Sequence, residues 1–160
     1  PTLDRVLLHE ETAVAVCTPE YARKHKIKSP RDLKNVTLLL DDGLNYCRGQ
    51  IAEVWCQKAE LNFSEIKRTI HFGYSPEQAL DAALAGSGVM VVSKTLASLD
   101  LMNNKLIMPF DIEVGTHVRY QIVTPKMKIK RSDVEAFQSW LIEELKPFEG
   151  TAVSSFLNAL

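Results

Sequence analysis

The chain has 160 residues, 46% of them hydrophobic and 24% charged, and its 19 lysines and arginines nearly balance 20 aspartates and glutamates. This is a globular composition, which excludes a disordered tail, a collagen-like chain and a disulfide-stapled miniprotein. A formal charge of −1 argues against a nucleic-acid-binding surface, because such surfaces are normally net basic.

Short apolar runs alternate with stretches of helical period, and this alternation predicts a parallel-rich α/β fold. In chain order, strands are expected at residues 12–17, 37–40, 68–72, 89–92, 106–108 and 118–123. The run 89–92 is apolar throughout, so it is expected to be a central strand covered on both faces.

Helix starts are predicted where a hydroxyl N-cap precedes a proline, at Thr18-Pro19-Glu20, Ser29-Pro30-Arg31-Asp32 and Ser75-Pro76-Glu77-Gln78. A capping box at 132–135 predicts a last helix that runs to about Lys146. Its Val134, Phe137, Leu141 and Leu145 share one face, as do Ile51, Val54, Trp55 and Ala59 on an earlier helix. The aromatic residues of these stripes are expected in the core.

Several familiar sites are excluded or left open by the residue patterns. Gly86-Ser87-Gly88 joins a helix to a strand, the reverse of a dinucleotide or phosphate-loop order, so Gly86 is expected to end a helix. Asp41-Asp42-Gly43 follows a strand and is either a solvated turn or part of a ligand site. The four histidines have no metal-ligand spacing, and no cofactor or metal is expected.

Ser75 is the most informative polar residue, because it follows one predicted strand and opens the next helix. Its hydroxyl and the backbone N–H groups beside it either cap the helix or bind an anion, and the two roles are compatible.

Cysteines 17, 47 and 56 are odd in number and irregularly spaced, which indicates a reducing compartment. The chain starts without Met and has neither a signal peptide nor a membrane-length apolar run, so we expect a piece of a longer cytoplasmic protein.

The order of several segments resembles the effector-binding domain of the LysR-type transcriptional regulators. These segments are Thr12-Ala-Val-Ala-Val-Cys-Thr-Pro-Glu-Tyr21, Ser29-Pro-Arg-Asp-Leu33, Ser75-Pro-Glu-Gln-Ala-Leu-Asp-Ala-Ala-Leu-Ala-Gly-Ser-Gly-Val89, Lys105-Leu-Ile-Met-Pro-Phe110, Tyr120-Gln-Ile-Val-Thr-Pro125 and Val134-Glu-Ala-Phe-Gln-Ser-Trp-Leu141. No helix-turn-helix pattern occurs in the chain, so the DNA-reading part of such a regulator is expected elsewhere.

The resemblance implies two Rossmann-like subdomains joined by two crossover strands, as in periplasmic solute-binding proteins. Residues 1–17 and 116–160 then form the remainder of an incomplete first subdomain with the crossovers, and residues 18–115 form the second. A small effector is expected in the cleft between them. The positions that match the effector-contacting segments are Tyr46, Cys47, Arg48, Tyr74, Ser75, Pro76, Arg119 and Tyr120. Arg48 or Arg119 is expected to supply charge for an anionic effector.

The leading hypothesis is a non-enzymatic effector-sensing domain that binds a small metabolite. It regulates DNA binding by an absent helix-turn-helix domain, in a cytoplasmic homodimer or homotetramer. One alternative is an extracytoplasmic solute-binding protein, which shares the two-crossover architecture. A second is a small α/β hydrolase or thiol enzyme, in which Cys47 pairs with His71 or His117.

Overall fold

The computed structural model describes residues 3–41, 51–73, 75–126 and 131–145. Its strands are β1 (Leu3–Val16), β2 (Thr37–Leu40), β3 (Arg68–His71), β4 (Val89–Ser93) and β5 (Glu113–Pro125). Its α-helices are α1 (Pro19–Lys24), α2 (Ile51–Lys58), α3 (Pro76–Leu84), α4 (Lys94–Met102) and α5 (Ser132–Leu145). Two short 3₁₀ helices cover Pro30–Asn35 and Phe63–Glu65.

The five strands form one sheet in the order β3-β2-β4-β1-β5. β2 is parallel to both β3 and β4, whereas β1 is antiparallel to β4 and β5. The sheet is therefore mixed, with a parallel half built from strand-helix units and an antiparallel half built from two long strands. This confirms the predicted α/β class.

Helices cover both faces of the sheet, and each face carries its own hydrophobic cluster. On one face, α1 and α2 pack over Ala13, Ala15, Leu38 and Val89. On the other face, α3 and α4 pack over Val14, Val16, Leu39 and Met90. β4 is fully buried along its length, as its uniformly apolar sequence predicts.

Most predicted helix starts are confirmed, with local differences. The Thr18 hydroxyl accepts a hydrogen bond from the Tyr21 N–H at 3.1 Å and caps α1. The segment after Ser29 forms a 3₁₀ helix, and the Asp32 carboxylate accepts the N–H groups of Lys28 and Ser29. These two donors hold the pKa of Asp32 below its usual value, chiefly through the Lys28 N–H.

The capping box predicted at Ser132 is wrong. Ser132 is the first residue of α5 rather than its cap, since the Arg131 carbonyl accepts the Glu135 N–H at 3.1 Å. Asp133 pairs instead with the Arg131 guanidinium at 2.6 Å. The Asp133 carboxylate also accepts the Val134 N–H at 3.0 Å.

Three strand predictions need correction. Residues 106–108 form only a two-residue bridge, in which Ile107 exchanges backbone hydrogen bonds with Cys17. β1 and β5 are both longer than predicted, because their outer parts pair with each other from Leu3 opposite Pro125 to Glu10 opposite Arg119. This outer ribbon is mostly exposed. The strand predicted at 118–123 forms part of it, whereas the mixed polar residues 3–11 gave no strand prediction.

The prediction that the aromatic residues of the helical stripes lie in the core holds for α2 and fails for α5. Trp55 is fully buried, whereas Phe137 is 56% exposed. Trp140, which lies on α5 outside the predicted stripe, is 54% exposed. Beside α5, a cavity of about 500 Å³ opens between the helix and the outer ribbon, lined by Val6, Thr124, Val134 and Gln138 among others. The amphipathic face of α5 is therefore only partly covered by the described residues.

Candidate functional site

Parallel pairing brings the carboxyl ends of β2, β3 and β4 to one edge of the sheet. Asp41 follows β2, Ser75 follows β3, and Lys94 follows β4. β1 reaches the same edge from the opposite direction, because its Ala13 lies opposite Ser93. Ligands of open α/β sheets bind at this edge, so we take it as the candidate site and call it the strand-end edge.

Ser75 occupies the predicted N-cap position of α3, and Pro76 is the first helical residue. The Ser75 carbonyl accepts the Ala79 N–H at 3.3 Å, but its side chain makes no capping hydrogen bond. Its backbone, at φ −120° and ψ 84°, departs from the extended conformation that Thr18 adopts as a cap. The half-buried hydroxyl is thus not engaged in capping.

Four of the expected effector contacts, Tyr46, Cys47, Arg48 and Tyr74, lie outside the described residues and stay predictions. The others are placed on two elements, Ser75 and Pro76 at the start of α3 and Arg119 and Tyr120 on β5.

Arg119 and Tyr120 point to opposite faces of the ribbon, because neighbouring strand residues alternate. The Arg119 Nε lies 2.8 Å from the Glu10 carboxylate, and both side chains are more than half exposed. The Tyr120 ring instead stacks on the ring of His9, with centroids 6.2 Å apart. Partial burial, followed by the negative charge of Glu11, raises the pKa of Tyr120.

Glu11 is a site residue that the sequence analysis missed. It is 3% exposed, and its Oε1 accepts the N–H and the hydroxyl of Thr95 at 3.4 and 3.2 Å. The His9 Nε2 lies 3.2 Å from the same threonine hydroxyl. In a regular strand, Glu11 would point to the same face as Ala13, the face covered by α2. A register shift between Glu10 and Thr12 interrupts this alternation, so the Glu11 side chain reaches the start of α4 on the other face.

Asp41 is the second residue whose environment differs from expectation. It is 6% exposed at the end of β2, so the solvated-turn interpretation of Asp41-Asp42-Gly43 is wrong for this residue. Asp42 and Gly43 lie outside the described residues. A buried carboxylate at the strand-end edge fits the alternative interpretation, in which this aspartate belongs to a ligand site.

Neither described cysteine is suited to nucleophilic chemistry. Burial raises the pKa of the Cys17 thiol to about 12, and burial with the nearby Glu53 charge raises that of Cys56 to about 11. A thiol nucleophile needs a lowered pKa. Cys47, on which the thiol-enzyme alternative depends, lies outside the described residues.

The described residues hold neither a metal site nor a membrane-spanning helix. Within ranges 3–41, 51–73, 75–126 and 131–145, no three His, Cys, Asp or Glu side chains are grouped to hold a metal ion. Over those same residues, no helix is both long and apolar enough to cross a bilayer. A second, shallow cavity of about 410 Å³ lies between α2 and β5, around Lys58 and His117.

A family model described as the LysR substrate binding domain matches residues 1–146. Among curated proteins, the HTH-type transcriptional regulator y4mQ of Sinorhizobium fredii is 28% identical over 144 residues, which cover 88% of this chain and 45% of that protein. The HTH-type transcriptional regulator DsdC of Escherichia coli is 28% identical, over 87% of this chain and 45% of its own length. The chain spans less than half the length of these relatives.

Solved structures show the same fold. The effector domain of the transcriptional regulator AmpR of Pseudomonas aeruginosa superposes with a TM-score of 0.64 at 28% identity, covering 91% of this chain and 66% of that one. The AmpR effector binding domain of Citrobacter freundii gives a TM-score of 0.66 at 22% identity, with 91% and 68% covered. Both are periplasmic-binding-protein-like folds, which confirms the expected architecture.

Proposed function

The chain belongs to the LysR substrate-binding domain family, the effector-sensing part of LysR-type transcription regulators, and we propose that it senses a small molecule at the strand-end edge. The observation that carries the proposal is the family match over residues 1–146. The whole protein then binds DNA through a helix-turn-helix domain outside these residues. The names and greater length of the relatives support that part of the proposal.

The proposed division places residues 1–17 and 116–160 in a first subdomain with the crossovers and residues 18–115 in a second. Irregular backbone at neighbouring positions of β1 and β5, where the proposed division crosses both strands, supports this division. β1 shifts register between Glu10 and Thr12, and His117 on β5 has a φ of 62°, a left-handed conformation that is strained for a non-glycine residue. The Thr116 hydroxyl, which donates to the Glu11 carbonyl at 3.0 Å, ties the strands together there.

The exposed apolar residues of the outer ribbon and α5 support an incomplete first subdomain. These residues are Leu3, Leu7, Val123, Phe137 and Trp140. A two-stranded ribbon with an exposed apolar face is marginal in water, so further chain is expected to cover it. The chain also accounts for only 66% of the related AmpR effector domain, which leaves room for such a segment.

Hydroxyl-radical footprinting of the longer protein tests this division. Trp140 is expected to be protected in the folded protein about as strongly as Trp55, which is fully buried in the sheet-helix core. His25, exposed at the end of α1, serves as the reactive control. If Trp140 reacts in the folded protein as fast as in urea, nothing covers α5 and the proposed first subdomain is wrong.

Regulation in this proposal requires no covalent chemistry. A ligand that contacts both subdomains stabilises one relative orientation, and its effect is limited by its difference in affinity for the two orientations. Coupling free energies of about 1–3 kcal/mol change DNA affinity by about 5- to 150-fold. We propose that the assembly is a homodimer or homotetramer in the cytoplasm and is not an enzyme, since most soluble oligomers are symmetric assemblies of identical chains.

Replacing Ser75 with alanine tests the site. Effector affinity of the full-length protein is expected to fall by about tenfold, the effect of losing one hydrogen bond to a charged group. The free energy of unfolding is expected to change by less than about 0.5 kcal/mol, because the side chain makes no capping hydrogen bond. Calorimetric titration with a metabolite selected by thermal-shift screening measures the effector affinity. Urea unfolding measures the free energy of unfolding.

Ser87, exposed beyond the other end of α3, provides the matched control. Ser87→Ala is expected to leave effector affinity unchanged. An unaltered affinity in Ser75→Ala would remove Ser75 from the site. A screen in which no small molecule changes DNA affinity would overturn the proposed function itself.

A further inference from the structure

The Glu11 carboxylate is buried without a complete set of partners. Its side chain is 2% exposed, and Oε1 takes all its close donors, the Thr12 N–H at 3.1 Å and the Thr95 N–H and hydroxyl. Oε2 is fully buried and makes no well-formed hydrogen bond within the described parts of the chain, while the neighbouring Tyr120 hydroxyl interacts with the carboxylate closely enough to raise the pKa of the tyrosine. A buried ionised oxygen in this state is costly unless an opposite charge compensates it.

The cationic side chains near Glu11 are engaged elsewhere. The Lys94 ammonium lies 2.5 Å from Glu113, and the Arg119 guanidinium pairs with Glu10. His9 comes closest, but its Nε2 is 4.0 Å from Oε1 and contacts the Thr95 hydroxyl. Glu10 and Glu113 therefore have cationic partners, whereas no lysine or arginine among the described residues is paired with Glu11. Its uncompensated negative charge favours a cation.

We propose that Oε2 of Glu11 accepts a cationic nitrogen of the effector, so that the effector is a small molecule with an ammonium or guanidinium group. This inference rests on the proposed effector-sensing function and adds the chemical class of the ligand. A neutral hydroxyl would satisfy the lone pair of Oε2 but would leave its charge uncompensated.

Two aromatic rings lie beside this position. The rings of His9 and Tyr120 stack with centroids 6.2 Å apart, and Tyr120 is 46% exposed, so the group next to the buried Glu11 carboxylate on this side lies at the surface. The negative charge of Glu11 acts on the Tyr120 hydroxyl and contributes to its raised pKa.

The sheet geometry limits the size of the ligand. β1 and β3 are three strand spacings apart in the order β3-β2-β4-β1, which places their backbones roughly 14 Å apart. The ammonium and carboxylate of a single α-amino acid are too close together to contact both Glu11 and the start of α3. A ligand that uses both positions must be longer, or Glu11 and Ser75 must bind different molecules.

The test compares organic cations with neutral molecules of the same shape, using the full-length protein at constant ionic strength. The probes are 1,4-diaminobutane and methylguanidine, with 1,4-butanediol and N-methylurea as their neutral counterparts. Thermal shift and calorimetric titration are expected to show binding of the cations and none of the neutral molecules. Glu11→Gln is expected to weaken cation binding by about tenfold or more.

Glu65→Gln is the matched control, because Glu65 is an exposed carboxylate paired with Lys34 at 2.9 Å, far from the strand-end edge. This variant is expected to bind the cations as the wild type does. The comparison of cations with neutral molecules uses only wild-type protein, so it decides the question even if Glu11→Gln does not fold.

Three results would overturn the proposal. Cations and neutral molecules could bind equally well, neither cation could bind, or the cation affinity could be unchanged in Glu11→Gln. These results leave the proposed function standing if another metabolite still changes DNA affinity and Glu11→Gln responds to it normally. Failure of the proposed function is a separate result, in which no small molecule of any charge alters DNA binding.

Discussion

Replacing Trp55 with alanine is expected to lower the free energy of unfolding by about 3–5 kcal/mol, the range for removing a large buried aromatic side chain. Trp55 is 0% exposed on α2, and its ring lies 5.8 Å from that of Phe110. Its Nε1–H donates to the Ile112 carbonyl at 3.0 Å. The substitution thus leaves both a cavity and an unpaired carbonyl in the cluster beneath α1 and α2. Urea denaturation measures the change.

Two further variants separate these contributions. Trp55→Phe keeps most of the volume but loses the N–H donor, so a smaller loss of about 1–3 kcal/mol is expected from the unpaired Ile112 carbonyl. Leu99→Ala removes a side chain that is 63% exposed on α4 and is expected to change stability by less than about 0.5 kcal/mol. A loss for Trp55→Ala as small as that for Leu99→Ala would mean that α2 does not pack on the sheet as described.

The second large effect is expected at Gly88, where alanine should lower the free energy of unfolding by about 2–3 kcal/mol. A Cβ on Gly88 would lie 2.7 Å from the Thr37 carbonyl oxygen and 2.9 Å from two Leu39 side-chain atoms. The first of these contacts is with the backbone of the neighbouring strand β2. It is relieved only if β2 and β4 move apart at their first shared pair, where Leu38 lies opposite Val89.

Gly115→Ala is the matched control for Gly88→Ala. A Cβ at Gly115 would meet no atom within 4 Å, so its expected effect is within about 0.5 kcal/mol in either direction. Thermal and urea unfolding of both variants, beside the wild type, measure the difference. Equal stability of the two variants would contradict the close approach of β2 and β4 at Gly88.

The sequence by itself determined the features that depend on neighbouring residues. The Thr18 hydroxyl caps α1 by accepting the N–H of Tyr21, three residues later. Gly86 follows the end of α3 with a φ of +72°, as expected for a left-handed helix terminus. The uniformly apolar run in β4 required burial on both faces. These features follow from local sterics and hydrogen bonding, and the family resemblance, carried by several such segments in order, is confirmed by the match over residues 1–146.

Only the tertiary structure decided features that join distant parts of the chain. The outer ribbon pairs residues more than 100 positions apart, so this pairing could not be predicted from either segment alone. Glu11 is buried because a bulge directs it to Thr95 on another element. The burial predicted for the α5 stripe fails at Phe137, because a hydrophobic face is buried only where a partner surface is present. The apolar periodicity of a segment predicts which face of the helix or strand can be buried. Contacts with distant parts of the chain decide whether that face is buried and against which element it packs.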